Sequence, residues 1–313
     1  MKASLSLDLD NLWSYLKTHG DAGWEGYPSY LETVIPHILT ITDSIQTAIT
    51  VFIVGQDAAF EKNTELLAAL AVAGHEIGNH SFRHEPWMNT YTPAEVADEL
   101  KAAHEAISNS TGHEPIGFRG PGFSSSPSVL DTLAATGYTY DASTLPTWIG
   151  PLARRYYFRS TNLTPAEAGL RSSLFGSVRD GFLPNTPYEW ELDDGDIAEI
   201  PVTTMPLARV PIHISYLLYL SGHSTALAEW YFRLALRACR VRGTGPSILI
   251  HPLDLLGGDE VDQLEFFPGM DMTGSVKRER TTRYLQLLTS RFDTGTMAEQ
   301  LASLGTLKRR PTA

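Results

Sequence analysis

Two aspartates, Asp8 and Asp10, close a stretch in which small or polar residues alternate with leucine from Ser4 onward. On a strand, a spacing of two puts both carboxylates on one side. Side by side they repel, and one must hold a proton unless a cation lies between them. The candidate partners for such a cation are His80 and His84, in the run from Gly78 to His84. If that run makes a helical turn, the i and i+4 imidazoles face the same way and reach one ion. Two histidines and one carboxylate leave coordination positions open, which is a catalytic layout rather than a closed structural one. Zinc is the natural occupant, with cobalt, manganese and iron as alternatives. The other aspartate is then free as a general base, taking a proton from water whose pKa the ion lowers. Spacing alone does not decide which aspartate does which. His75 is close in sequence but falls on the far side of the strand that leads to His80.

Three further motifs follow strand-like runs. Arg119 opens the turn Arg119-Gly120-Pro121-Gly122. An arginine there can hold a carboxylate in place and keep it ionised. The backbone N–H groups around Gly122 can approach an oxyanion closely; an ordinary tight turn would read the same way. His251 closes the apolar run Ser247 to Ile250. It is either a satisfied core histidine or a proton donor to a leaving group, and Asp141 could orient it and raise its pKa.

These motifs sit in alternating strands and helices. Strand patterns occur at 3–9, 47–54, 75–79, 116–119, 138–142, 198–203 and 247–251, with a further candidate at 293–297. Helix patterns occupy 61–73, 126–137, 224–241 and 276–291. Thr92, Pro93 and Glu95 form a capping box with proline at N1, so another helix begins there and runs to about residue 108. This rhythm predicts a parallel α/β fold, barrel or open sheet. Two regions depart from it. Residues 145–197 are rich in Pro, Gly, Tyr and Trp, as expected of a long insertion over one end of the core. Residues 206–241 are densely apolar and flanked by Arg209, Arg233, Arg237, Arg240 and Arg242. Such a segment fits a membrane or polyprenyl-phosphate contact, or else core helices and an interface between copies of the chain.

Composition narrows the class. The 313 residues are 42% hydrophobic and 19% charged, which supports a sizeable core and excludes a wholly disordered chain. The net charge of −12 argues against a general nucleic-acid binder. A single cysteine, Cys239, forms no internal disulfide. The first residues carry no secretory apolar run, and no stretch is long enough to span a bilayer, so the cytoplasm is the expected location. The basic tail at 308–310 reads as a frayed end.

In order along the chain, Asp8-Leu9-Asp10, His80-Ser81 to His84, Arg119-Gly120-Pro121, Asp141-Ala142-Ser143 and Leu249-Ile250-His251 resemble the motifs of the polysaccharide deacetylase, or NodB-homology carbohydrate esterase, family. The resemblance covers about residues 4–143 and resumes at 247–254. It implies an irregular (β/α) barrel of about seven parallel strands, here one catalytic domain over residues 1–313. It implies hydrolysis of an N-acyl group, most often N-acetyl, from an amino sugar. By resemblance Asp10, His80 and His84 bind the metal and Asp8 is the general base. Arg119 holds Asp8, His251 is the general acid tuned by Asp141, and Gly122 helps bind the oxyanion. Trp13 and Trp24, just beyond the aspartates, would line the pocket and stack on a sugar face, or pack its mouth. Three features depart from the commonest pattern: Asp-Leu-Asp in place of adjacent aspartates, no tyrosine after Pro121, and no export signal. They resemble the cytoplasmic branch, which speaks against a polymeric cell-wall substrate and for a lipid-linked or small N-acylated substrate at the inner face of the membrane. The alternatives are a cyclic imide, ureide or formamide hydrolase, and a non-catalytic sugar-binding module.

Overall fold

The computed structural model describes residues 1–312 other than 160, 162 and 194, and the backbone alone of residue 173. The strands are β1 (Lys2–Leu9), β2 (Thr50–Ile53), β3 (Glu76–Asn79), β4 (Gly117–Phe118), β5 (Tyr140–Asp141), β6 (Tyr188–Leu192), β7 (Gly195–Glu199), β8 (Ser247–Ile250), β9 (Asp293–Gly295) and β10 (Arg309–Pro311). They form one sheet in the order β10-β6-β7-β5-β4-β3-β2-β1-β8, with β9 beside the start of β1. All neighbours are parallel except the β6–β7 hairpin. The expected parallel α/β class is therefore correct. The extended segment 200–204 bridges the two sides of the sheet. Its Ile200 and Val202 N–H groups donate to the Asp141 and Thr144 carbonyls, and that of Thr203 to Ser247, each at 2.9 Å.

Alternation along β1 sorts its side chains. Leu5, Leu7 and Leu9 join the main apolar core with Val34, Ile35 and Ile38 of the helix Leu31–Ser44. Ser4, Ser6 and Asp8 take the opposite face and find polar partners inside the curled sheet. Ser4 Oγ donates to Gln300 at 2.7 Å, and Ser6 accepts from Arg119 at 2.9 Å. Because parallel strands share a direction, the C-terminal ends of β1, β3, β4, β5 and β8 gather at one end of the sheet, where α/β proteins of this kind hold their sites.

Several local readings need correction. The run 80–84 is not a helical turn: Ser81 and His84 have left-handed backbones, with φ of 62° and 51°. The insertion is structured, with helices Gly150–Tyr157 and Pro165–Leu170 followed by the β6–β7 hairpin, which continues the sheet. The basic tail does not fray, because Arg309 to Pro311 pair with β6. Strand 198–203 begins earlier, at Gly195, and its second half is the bridging segment. Helices Leu12–His19 and Leu31–Ser44 were not legible. The first is short, and the second contains Pro36, normally a helix breaker. The capped helix runs over Pro93–Thr111, and the 206–241 segment forms helices Ile214–His223 and Thr225–Val241. No helix among the described residues is long and apolar enough to cross a membrane.

At Gly117 the buried ring of Tyr140 fills the place a Cβ would occupy. Tyr140 in turn donates to Glu76 at 2.6 Å, tying β5 to β3. Gly117→Ala is expected to destabilise the protein by about 1–3 kcal/mol, the range for overpacking; urea denaturation measures it, and an unchanged midpoint would refute the close approach.

Candidate active site

Asp10, just past β1, sits at the centre of a three-residue cluster. Its Oδ1 lies 3.1 Å from His80 Nε2 and 2.9 Å from His84 Nε2. One donor atom from each of the three residues lies within 4.8 Å of the other two, and all three side chains are buried. His80 follows β3 directly, and its Nδ1 sits 2.6 Å from the Arg119 carbonyl. A carbonyl only accepts, so Nδ1 carries the hydrogen and Nε2 turns a lone pair toward the Asp10 carboxylate. Two lone pairs so placed call for a proton or a cation between them. Among the described residues, His84 Nδ1 has no hydrogen-bond partner. The donor set thus fits a divalent ion, with the bond to Arg119 fixing the His80 tautomer as metal-binding histidines require.

The loop that brings His84 round is held at both ends. Asn79 Oδ1 accepts from the Ser81 N–H at 2.8 Å. Glu99, from the helix Pro93–Thr111, accepts from the N–H groups of Phe82 and Arg83 at 2.9 and 2.5 Å. These bonds offset the cost of two left-handed non-glycine residues, about 1–3 kcal/mol each. Burial opposes the charge on Asp10, but the two imidazoles outweigh it and hold the carboxyl well below the ordinary range.

Asp8 is engaged differently. Arg119 Nη1 donates to its Oδ1 at 2.7 Å, leaving Oδ2 facing His251 Nε2 at 3.9 Å. Arg119 is fully buried; its Nε donates to the Ala142 carbonyl at 2.9 Å, and its guanidinium lies 4.5 Å over the Phe52 ring. His251 ends β8, with Nδ1 3.1 Å from Ser215 Oγ and 3.9 Å from Asp254 Oδ2. Gly122, left-handed at φ 58°, lines the same space.

Asp8, Asp10, His80, His84, Arg119, Gly122 and His251 therefore come together, while Asp141, Trp13 and Trp24 do not join them. The Asp141 carboxylate turns back on its own loop, accepting from the Ala142 N–H at 2.8 Å and the Ser143 hydroxyl at 2.5 Å. It also pairs with Glu199 of β7. No hydrogen bond or ion pair joins it to His251 among the described residues; the carboxylate on the Nδ1 side of His251 is Asp254. Trp13 points inward because Asn11 caps the helix Leu12–His19 and turns its first residues to the core. Its indole N–H donates to Asp57 at 3.0 Å behind the site. Burial pushes the Asp57 carboxyl up to about 6, against the pull of its bonds from Asn11 and Trp13. Trp24 sits under the Lys17 ammonium, 5.1 Å away, outside the cavity.

Above the catalytic groups lies a cavity of about 410 Å³. Its walls come from the insertion and from the helix Ile214–His223, including Leu145, Tyr156, Leu174, Phe175, Tyr216 and Tyr219. Asp254, Ser215, Glu99 and Glu199 were missed in the sequence. Only Asp254 left a local sign: the spacing His251-Pro252-Leu253-Asp254 is a capping box, in which the Asp254 carboxylate accepts the His251 N–H at 2.9 Å.

Fold and site define a parallel α/β protein of the NodB-homology type, with an Asp-His-His cluster at the strand ends. The polysaccharide deacetylase family model matches residues 21–140. The peptidoglycan deacetylase of Helicobacter pylori is 26% identical over 202 residues, 60% of this chain and 65% of its own length. Protein YlxY of Bacillus subtilis is 33% identical over 105 residues, 34% of this chain and 31% of its own. The chain thus spans less than two thirds of either relative. A crystal structure from Mycobacterium smegmatis, described as a polysaccharide deacetylase, superposes with a TM-score of 0.62 at 18% identity, over 98% of this chain and 92% of that one. Residues 21–140 of the chain are thus similar to the polysaccharide deacetylase family.

Burial, then the Asp141 charge, raises Glu199 well above the ordinary carboxyl range, and burial raises Asp141 too. Glu199 therefore keeps its proton and donates it to Asp141. A carboxyl raised in the folded state stabilises fully only below its unfolded pKa, about 4.3, and that stability drains away as pH rises toward the folded value. Glu199→Gln keeps an N–H donor that does not titrate. The melting temperature of the variant relative to wild type should therefore climb between about pH 4 and pH 8; a difference constant with pH would refute the shared proton.

Proposed function

We propose that the protein is a divalent-metal-dependent hydrolase that removes an N-acyl group, acetyl foremost, from an amino sugar. The observation that carries this reading is the division of labour between the aspartates: Asp10 joins two histidines, while Asp8, held by Arg119, keeps one oxygen free toward His251. A divalent ion, zinc by preference, held by Asp10, His80 and His84 would polarise the scissile carbonyl and make water more acidic. The free Asp8 oxygen takes a proton from the attacking water. The Arg119 contact holds the Asp8 carboxylate in place for that task. The backbone at Gly122 donates toward the carbonyl oxygen as it gains charge. His251 delivers a proton through Nε2 to the amine as the C–N bond breaks, while Ser215 and Asp254 hold the ring by its Nδ1 side. Water is consumed, its hydroxyl ending on the acyl carbon and its hydrogen on the amine.

The lipid-linked form of such a substrate is the finer version of this proposal. It is supported by the exposed Trp230 and Leu234, which lie beside Arg233 and Arg237 on the helix Thr225–Val241, a face suited to an anionic membrane. A cyclic imide, ureide or formamide hydrolase is the second reading, favoured by the modest volume of the cavity.

The test is acetate release from N-acetylglucosamine oligomers and their polyprenyl-phosphate-linked forms, by protein stripped with a chelator and reloaded with zinc. Activity should vanish on stripping and return on loading. Asp8→Asn should retain its metal by elemental analysis and lose roughly 10²–10⁴-fold in kcat. Undiminished turnover by Asp8→Asn would overturn the assignment of the base.

A further inference from the structure

The floor and the walls of the cavity differ in chemistry. Every charged or titratable carboxylate lining it, Asp8 and Asp10, lies at the catalytic end, and no lysine, arginine, asparagine or glutamine lines it anywhere among the described residues. The walls are Leu145, Ile149, Leu174, Phe175 and Phe267, with tyrosines between them. A sugar chain presents hydroxyls in every direction, and each one buried against such walls loses its water without gaining a partner. The buried side-chain polar atoms of the lining that lack a partner among the described residues are few: Tyr15 Oη, Thr18 Oγ1, His84 Nδ1 and His213 Nδ1. Burial drops His213 to about 3, so its ring is a neutral contact and not a charge. A mostly apolar space with a few convergent polar groups is the build of a small-molecule site, and the volume lies at the low end of the usual 300–1,000 Å³.

The apolar character extends beyond the mouth. Leu152, from the helix Gly150–Tyr157, lines the cavity while 61% exposed, and Tyr219 does so while 40% exposed. Trp148, itself 47% exposed, donates to the Ala208 carbonyl and packs against Gly181. Apolar side chains clustered in this way around an opening mark a binding surface.

From this contrast we infer that the substrate carries an aliphatic or aromatic arm beside its scissile N-acyl group, and that the insertion walls select for this arm. The inference rests on the proposed hydrolysis for its placement of the reacting bond. The arm itself is specified by the walls. The insertion then acts as the specificity element: Leu145, Ile149, Leu152 and Tyr156 grip the arm while the strand ends act on the acyl group.

Two homologous series test it on the full-length zinc-loaded protein: N-acyl glucosamines from acetyl to hexanoyl, and N-acetyl alkylamines from methyl to hexyl. In one of the two, kcat/KM should rise about fourfold with each added methylene, the equivalent of its burial (about 0.8 kcal/mol), until the cavity is full. Leu152→Asp, a replacement in the wall, should flatten that rise, lowering kcat/KM of the longest member more than that of the shortest. Calorimetry on metal-free protein gives a second readout: N-hexylacetamide should bind more tightly than N-acetylglucosamine, with a negative heat-capacity change. Flat series, with sugar oligomers turned over at least as well as any alkyl amide, would overturn the inference and leave the proposed hydrolysis standing. Tight N-hexylacetamide binding without turnover of any amide would support the apolar site and overturn the hydrolysis.

Discussion

Arg119 is the residue on which the rest of the site depends. It is fully buried, so its charge carries a large desolvation cost that only complete satisfaction of its donors offsets. Its partners come from three strands at once. β1 supplies Asp8 and Ser6, β2 the face of Phe52, and the end of β5 the Ala142 carbonyl, while β4 leads into Arg119 itself. Removing one partner from such an arrangement leaves an uncompensated buried charge, a loss of about 3–5 kcal/mol. The sheet can therefore curl over a polar interior only while this ion pair is intact.

The same residue separates two aspartates that their spacing alone leaves equivalent. Its side chain takes Asp8, and its carbonyl takes the Nδ1 hydrogen of His80 and so aims the lone pair of Nε2 at Asp10. One residue thus holds one carboxylate apart and fixes the tautomer of the histidine beside the other. Neutralising Asp8 locally also limits the repulsion that two neighbouring carboxylates would otherwise impose.

What the sequence made legible follows from what is periodic. Alternation along β1 and the apolar runs before His80, Arg119 and His251 placed those groups at strand ends, and the strand ends converge. The partner of His251 was misassigned because Asp141 also ends a strand, and proximity between strand ends is not a local property. The structure gives Asp141 to Glu199, a residue whose strand arrives through the insertion. Trp13 stayed open between two readings for a related reason: an aromatic residue next to a site can face it or support it from behind. The Asn11 cap, which decides between these, emerges only once the short helix Leu12–His19 is known. The curved path from His80 to His84 was illegible because left-handed serine and histidine carry no sequence signal comparable to glycine.

The separation between chemistry and selectivity has a physical basis. Charged groups at the floor gain strength from surroundings that hold little water, because the field between them is less screened there. Apolar walls supply that environment without adding competing donors or acceptors. Those walls come largely from residues 145–175, a part of the chain that contributes none of the groups gathered around Asp8 and Asp10. Side chains there can change in size or shape without disturbing Arg119 or the strands it ties together, whereas a new charge in the wall would act directly on Asp8 and His251. The tolerance of the wall is thus for apolar variation, and that constraint, set by the electrostatics of the floor, confines the site to substrates with an apolar side.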